Sequence, residues 1–168
     1  MDVLFSAEQI AQRVKEMGEE ISRFYQNKPL TVIVLASGGI FFGADLMRAI
    51  DLPIWVDTLG VASYVNDKSS GAIQCRSTLK LDCSGRHVLL VDEVLDTGRT
   101  LLETKQMILE QGALSVKNAV IVSKDVQRPE AIAEADWTGF SAPDRYLVGY
   151  GLDSNEDYRN LPFIGALN

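Results

Sequence analysis

The sequence predicts an α/β fold with a mostly parallel central sheet flanked by helices. Three observations predict it. The runs at 30–35, 88–91 and 116–122 are apolar, rich in β-branched residues and without polar alternation, as strands buried on both faces are. Helical patterns at 6–24, 40–50 and 101–111 alternate with these runs, the order that builds a parallel sheet through helical crossovers. Twice, an apolar run passes through a glycine turn directly into a helical pattern, at Gly38-Gly39 and at Gly98.

Ser6 followed by Gln9 reads as a capping box, and Ile10, Val14, Met17, Ile21 and Phe24 recur at helical spacing behind it. Pro29 closes the connection to the strand at 30–35, and an apolar helix is expected over about 40–50. Residues 54–61 read as a strand running on into Ala62, Ser63 and Tyr64. The segment 65–71, with Asn66, Asp67, Lys68, Ser69, Ser70 and Gly71, has no apolar face and reads as a mobile loop. Residues 72–81 alternate enough to be the returning strand of a hairpin, and Ser84-Gly85 turns into the next strand. His87, the only histidine, starts that strand in a structural role. The strand at 116–122 leads into Ser123-Lys124, which sets a lysine at a strand's carboxyl end. Residues 136–140 and 146–150 read as two short strands joined by a turn around Ala142-Pro143-Asp144.

Composition bounds the function. At 168 residues, 46% hydrophobic and 23% charged, a single domain spanning 1–168 is the expectation. The 23 acids against 16 Lys and Arg, a formal charge of −7, argue against general affinity for nucleic acid or an anionic membrane. No apolar run approaches the roughly 20 residues of a membrane span, and no basic region followed by an apolar segment opens the chain, so a soluble cytoplasmic protein is expected. Cys75 and Cys83 are too few for a disulfide framework or a zinc site and are expected as reduced thiols.

The chemistry concentrates at 88–100. Four apolar residues lead to Asp92 and Glu93, a third acid follows at Asp96, and Thr97-Gly98-Arg99-Thr100 turns into the helix. A ligand site should lie just past this strand's carboxyl end. Gly98 permits positive φ, so successive N–H groups converge on the helix amino end and attract phosphate, while Thr97 and Thr100 add hydroxyl donors. Three neighbouring carboxylates repel one another unless they face water, hydroxyls, a metal ion or a developing positive charge. A phosphorylated sugar offers most of these together.

The string 88–100 resembles the phosphoribosyl pyrophosphate motif of the type I phosphoribosyltransferases. Other parts match in the family's order from about residue 35 to 161: the glycine loop Leu35-Ala36-Ser37-Gly38-Gly39, the lid pair Ser63-Tyr64, Lys124, and the segment from Pro143 to Pro162, which is similar to the hood of the hypoxanthine-guanine members. The resemblance implies that fold, with a flexible lid at about 62–78 and a small carboxyl-terminal hood at about 136–168. It also implies purine salvage: a 6-oxopurine, hypoxanthine and/or guanine, displaces pyrophosphate from phosphoribosyl pyrophosphate, with magnesium as cofactor and a homo-oligomer, dimer or tetramer, as the assembly.

Carried over by position, the resemblance puts Asp92 and Glu93 on the ribose hydroxyls, the loop from Asp96 through Thr97, Gly98, Arg99 and Thr100 on the 5-phosphate, and Asp96 as the base that deprotonates the purine. Ser37 and Gly38 would meet pyrophosphate, Ser63 and Tyr64 would close over the sugar, and Arg159 would pair with the leaving group. Lys124 would donate to the exocyclic oxygen, Tyr146 would stack on the base with Arg145 beside it, the backbone at Leu147 would read its edge, and Asp153 would hold magnesium. The chain departs from the family twice. Ser37 stands where many purine members have a lysine, which keeps a backbone and hydroxyl contact without the charge, and the acid pair runs Asp then Glu. A phosphoribosyltransferase-fold regulator that senses a nucleotide is the alternative, and a nicotinamide dehydrogenase is excluded because no Gly-x-Gly-x-x-Gly follows a strand.

Overall fold

The computed structural model describes residues 1–62, 74–132 and 134–168. In chain order its elements are β1 (Asp2–Phe5), α1 (Ala7–Phe24), β2 (Leu30–Ala36), α2 (Ile40–Ala49), β3 (Ile54–Ala62), β4 (Gln74–Cys75), β5 (His87–Leu95), α3 (Arg99–Glu110), β6 (Ser115–Lys124), a single 3-10 turn (Glu130–Ile132), β7 (Trp137–Ala142), β8 (Leu147–Val148) and β9 (Ile164–Ala166). The main sheet runs β4-β3-β2-β5-β6-β7. Its five long strands are parallel, and β4 joins antiparallel at the end of β3.

The uninterrupted apolar runs are explained by helices on both faces. Successive strand residues point to opposite faces. Val32 and Val34 accordingly pack with Ile10, Met17, Phe42 and Leu46 from α1 and α2, whereas Ile33 and Leu35 pack with Leu101 and Ile108 from α3. The predicted capping box is present: Ser6 Oγ accepts from the Gln9 N–H at 3.2 Å, and the Gln9 amide oxygen accepts from the Ser6 N–H at 2.8 Å. Phe24 departs from the predicted buried stripe. It is 41% exposed, with the ammonium groups of Lys28 and Lys117 over its ring, while Tyr25, which ends the helix, takes the buried place.

Two expected pairings differ. Among the described residues of the returning strand expected at 72–81, Gln74–Cys75 alone forms a strand paired with β3. Beyond it, one more main-chain bond, from the Arg76 N–H to the Gly60 carbonyl at 2.7 Å, is joined by side-chain contacts: Asp57 Oδ2 accepts from the Lys80 and Leu81 N–H groups at 2.7 and 2.8 Å, and Ser77 Oγ accepts from the Gly60 N–H at 2.7 Å. The lid pair Ser63-Tyr64 lies outside the described residues. The runs at 136–140 and 146–150 do not form a hairpin. β7 pairs parallel with β6, and β8 joins the separate antiparallel sheet β1-β9-β8. Pro143, which has no N–H to offer a ladder, stands where the chain leaves the main sheet.

This small sheet and the loops around it form a hood over the carboxyl ends of β2 and β5. Gly151 lies at φ +102°, and a Cβ there would come within 2.0 Å of the Gly38 carbonyl oxygen. Gly151→Ala combines left-handed strain with a backbone clash, expected together to cost about 2–4 kcal/mol. The expected result in a thermal melt is a fall of at least about 5 °C; an unchanged melting temperature would contradict this packing.

Candidate functional site

β5 is buried from Val88 to Val91, and then Asp92, Glu93 and Val94 become half-buried as the strand reaches the sheet's carboxyl edge. Gly98 takes φ +78° at the amino end of α3, where no side chain caps the helix. Glycine is required there for two reasons: the left-handed backbone, and the Ile132 side chain, which a Cβ would approach to 2.7 Å. The neighbouring β2 also passes through glycines into a helix, but with Gly39 at φ −70°. Gly39 starts α2, and a Cβ on Gly38 would lie 2.0 Å from a Glu93 carboxylate oxygen. The peptide bond between Ala36 and Ser37 is cis.

These elements enclose a cleft of two adjoining cavities. The larger, about 530 Å³, is lined by Ser37, Gly38, Asp92, Glu93, Asp96, Thr97, Gly98, Thr100, Asp153 and Arg159, with Leu35, Ala36, Val61, Val94 and Leu101 completing its walls. The smaller, about 320 Å³, is lined by Lys124, Tyr146, Leu147 and Leu152 and shares Glu93, Val94, Asp96 and Asp153 with the first. One part is therefore rich in helix amides, glycines and carboxylates, and the other offers an aromatic ring, apolar walls and one ammonium group.

Asp96 stands at the junction. It follows β5 by one residue, and Lys124, the last residue of β6, reaches it at 3.3 Å between Nζ and Oδ2. Asp144 in the hood lies 3.7 Å from the same ammonium. Arg159 is fixed by its own loop: Nη1 donates to the Gly151 carbonyl at 2.6 Å and Nη2 lies 3.2 Å from Asp153 Oδ1. The second oxygen of Asp153 accepts from the Glu156 N–H at 2.8 Å. Two arginines of the predicted set are placed elsewhere. Arg99 pairs along α3 with Glu103 at 3.1 Å, and Arg145 bonds Asp2 at 2.9 Å and Asn168 at 3.4 Å, tying the two ends of the chain together.

Burial, and then the neighbouring Glu93 charge, push the Asp92 carboxyl well above the usual carboxylate range. Its Oδ1 accepts from the Glu93 N–H at 2.9 Å, which offsets the effect only in part. A buried acid beside another acid is unfavourable for the fold and is explained by a ligand that brings hydroxyls or positive charge.

Among the described residues, no group of three or more His, Cys, Asp or Glu is placed to hold a metal ion. Asp153 is nevertheless a hard oxygen donor in the wall of both cavities. Magnesium commonly takes one or two carboxylates with waters and substrate phosphates completing its shell, so the donor set fits an ion delivered with a phosphorylated substrate.

Several lining residues were not singled out from the sequence. Leu152 and Val94 are generic apolar residues there and gain meaning only from the cavity they face. Tyr150 donates through its hydroxyl to Asp45 Oδ2 at 2.6 Å, joining the hood to α2 across 105 residues of chain, a separation no local pattern reveals.

Comparison with known proteins agrees with this geometry. Residues 2–155 match the phosphoribosyl transferase domain family. The hypoxanthine-guanine phosphoribosyltransferase of Streptococcus pneumoniae is 40% identical over 166 residues, covering 98% of this chain and 92% of that protein. The hypoxanthine-guanine-xanthine phosphoribosyltransferase of Tritrichomonas foetus is 33% identical over 165 residues, covering 98% and 90%. Among solved structures, a hypoxanthine phosphoribosyltransferase from Staphylococcus aureus superposes with a TM-score of 0.92 at 34% identity, covering all of this chain and 93% of that one.

The raised pKa of Asp92 sets a pH-dependence. The folded protein retains a proton that the unfolded chain has already released above the ordinary carboxylate range, so stability falls as pH rises through that window toward the raised value. Asp92→Asn removes this charge and is expected to melt higher than the wild type at neutral pH, with the difference closing near pH 4. Equal melting temperatures throughout, or a variant less stable at neutral pH, would refute the assigned electrostatics.

Proposed function

The chain belongs to the hypoxanthine-guanine phosphoribosyltransferase family, a purine-salvage enzyme by that membership, and from this premise we propose how its cleft divides the work. The observation that carries the reading is the meeting of Asp96 and Lys124 at the junction of the two cavities.

The larger cavity receives phosphoribosyl pyrophosphate. The amino end of α3, with Thr97, Gly98 and Thr100, takes the 5-phosphate through amides and hydroxyls; the Arg99 backbone belongs to the same turn, while its side chain is engaged with Glu103. Ser37 and Gly38 take the pyrophosphate through backbone and hydroxyl groups, and Arg159 supplies the positive charge that Ser37 lacks. Asp92 and Glu93 face the ribose hydroxyls.

The smaller cavity receives the 6-oxopurine. Tyr146, exposed over the opening, stacks on the ring; the Leu147 backbone reads its edge; and Lys124 donates to the exocyclic oxygen. Departure of pyrophosphate builds positive charge on the ribose ring, which the Asp92 and Glu93 carboxylates stabilise without reorganising. A purine ring nitrogen attacks the anomeric carbon and its proton passes to Asp96. Asp153 would hold magnesium together with substrate phosphates, and the ion would supply charge neutralisation to the pyrophosphate. Ser63 and Tyr64 are assigned to a lid that excludes water. The chain is assigned as a single domain, 1–168, with the hood at about 136–168, less β7, which belongs to the main sheet. Self-association as a dimer or tetramer belongs to the same proposal, supported by exposed Ile40 and Phe41 on the first turn of α2 beside the cleft.

Asp96→Asn tests the assignment. Removing the proton acceptor is expected to lower turnover about 10²–10⁴-fold, with the dissociation constant of IMP changed by less than about threefold. Near-normal turnover with only the nucleotide affinity altered would reject the proton-transfer role.

A further inference from the structure

The pairing of β5 with β6 stops just short of the two central groups of the site, although Lys124 is still paired with Ala142 of β7. The β5–β6 ladder ends at the pair Leu95 and Ser123. Asp96 and Lys124 are the next residue on each strand; β7 still holds Lys124 through its pair with Ala142, whereas Asp96 lies past the end of β5, so no β5–β6 hydrogen bond fixes their separation. One side chain takes over there. The guanidinium of Arg128 donates from Nε to the Asp96 carbonyl, and from Nη2 to the Leu95 carbonyl at 2.8 Å and to the Lys124 carbonyl. We propose that Arg128 is a positioning residue for transfer, a clamp that carries the β5–β6 register one residue further and so holds Asp96 against Lys124.

The chemistry suits a guanidinium. Three carbonyl oxygens at the carboxyl ends of two parallel strands converge, each with partial negative charge. A planar fork with several fixed N–H directions can satisfy all three at once, whereas an ammonium on a flexible stem cannot keep that geometry. Arg128 is itself held from the far side. Pro129 follows it, the Ile132 N–H donates to the Pro129 carbonyl at 3.0 Å, and the buried Ile132 side chain packs against Gly98 so closely that a Cβ there would sit 2.7 Å away. The segment 128–132 therefore braces the 5-phosphate loop through Ile132 and the Asp96–Lys124 pair through Arg128. Loss of the Arg128 fork alone would displace the proton acceptor, while Ile132 still packs against Gly98 and keeps the loop amides at 97–100 on their helix.

The inference rests on the assignment of Asp96 and Lys124 to the purine, and its test separates the two. Arg128→Lys keeps charge and most of the stem but not the fork. It is expected to lower kcat about 10–100-fold, the scale of a misplacement near 1 Å, with the KM for phosphoribosyl pyrophosphate within about threefold of wild type. Placed on Asp96→Asn, the same substitution should cost less than about threefold, because the group it positions is gone. Arg128→Met is carried through the same cycle with thermal melts, so that if one variant is too unstable to purify the other decides. Wild-type kcat in the Arg128 variants, or the same factor lost in both backgrounds, would overturn the clamp. Failure of the base assignment shows separately, as normal turnover in Asp96→Asn with Arg128 intact.

Discussion

The architecture of the cleft depends on a close approach that leaves no space for a side chain. Gly38 at the end of β2, Glu93 on β5 and Gly151 in the hood come together so tightly that a Cβ on either glycine would fall 2.0 Å from an oxygen of its neighbour. Interiors of this density transmit displacement instead of absorbing it. The glycine loop and the hood, more than 100 residues apart in the chain, meet backbone to backbone, with the acidic edge of the central strand packed against both. Arg159 reinforces this contact by exchanging hydrogen bonds with Gly151, through its guanidinium at 2.6 Å and its carbonyl at 2.9 Å.

Within that frame the electrostatics are deliberately unfavourable. Asp92, Glu93, Asp96 and Asp153 share one cleft, and the described cations around them are few, chiefly Lys124 and Arg159. A surplus of carboxylate is costly in the resting protein and useful when a ribose ring gains positive charge, the usual arrangement in which a site gives up fold stability for transition-state stabilisation. The structure limits that cost in part through main-chain donors, as at Asp92 and Asp153, which orient the carboxyl groups.

The sequence was most informative where local pattern and tertiary context demand the same residues. The runs that became β2, β5 and β6 are apolar because helices cover both faces, and the capping box of α1 is a local interaction complete within four residues. The acids at 92, 93 and 96 and the lysine at 124 could be placed at strand ends for the same reason. Where partners are distant, the pattern was silent. β1 and β9 span only four and three residues, too short for alternation to register. β7 looks like half of a hairpin until its parallel pairing with β6 is seen. Arg128 carries no periodic signal, and its role exists only because three carbonyls from two strands converge on it. Arg99 and Arg145 show the converse: sequence position placed them at the site, while nearer acidic partners, Glu103 and Asp2, hold their side chains elsewhere.

The most direct test of this account is pyrophosphate release in the presence of phosphoribosyl pyrophosphate and magnesium, with hypoxanthine, guanine, xanthine and adenine supplied in turn. An ammonium at the exocyclic position pairs with a carbonyl oxygen and leaves an amino group without an acceptor. Turnover with hypoxanthine or guanine and none with adenine is therefore the predicted result. Silence with every oxopurine while a nucleotide still binds, or release driven by adenine, would contradict the division of labour between Lys124 and Asp96 on which the account stands.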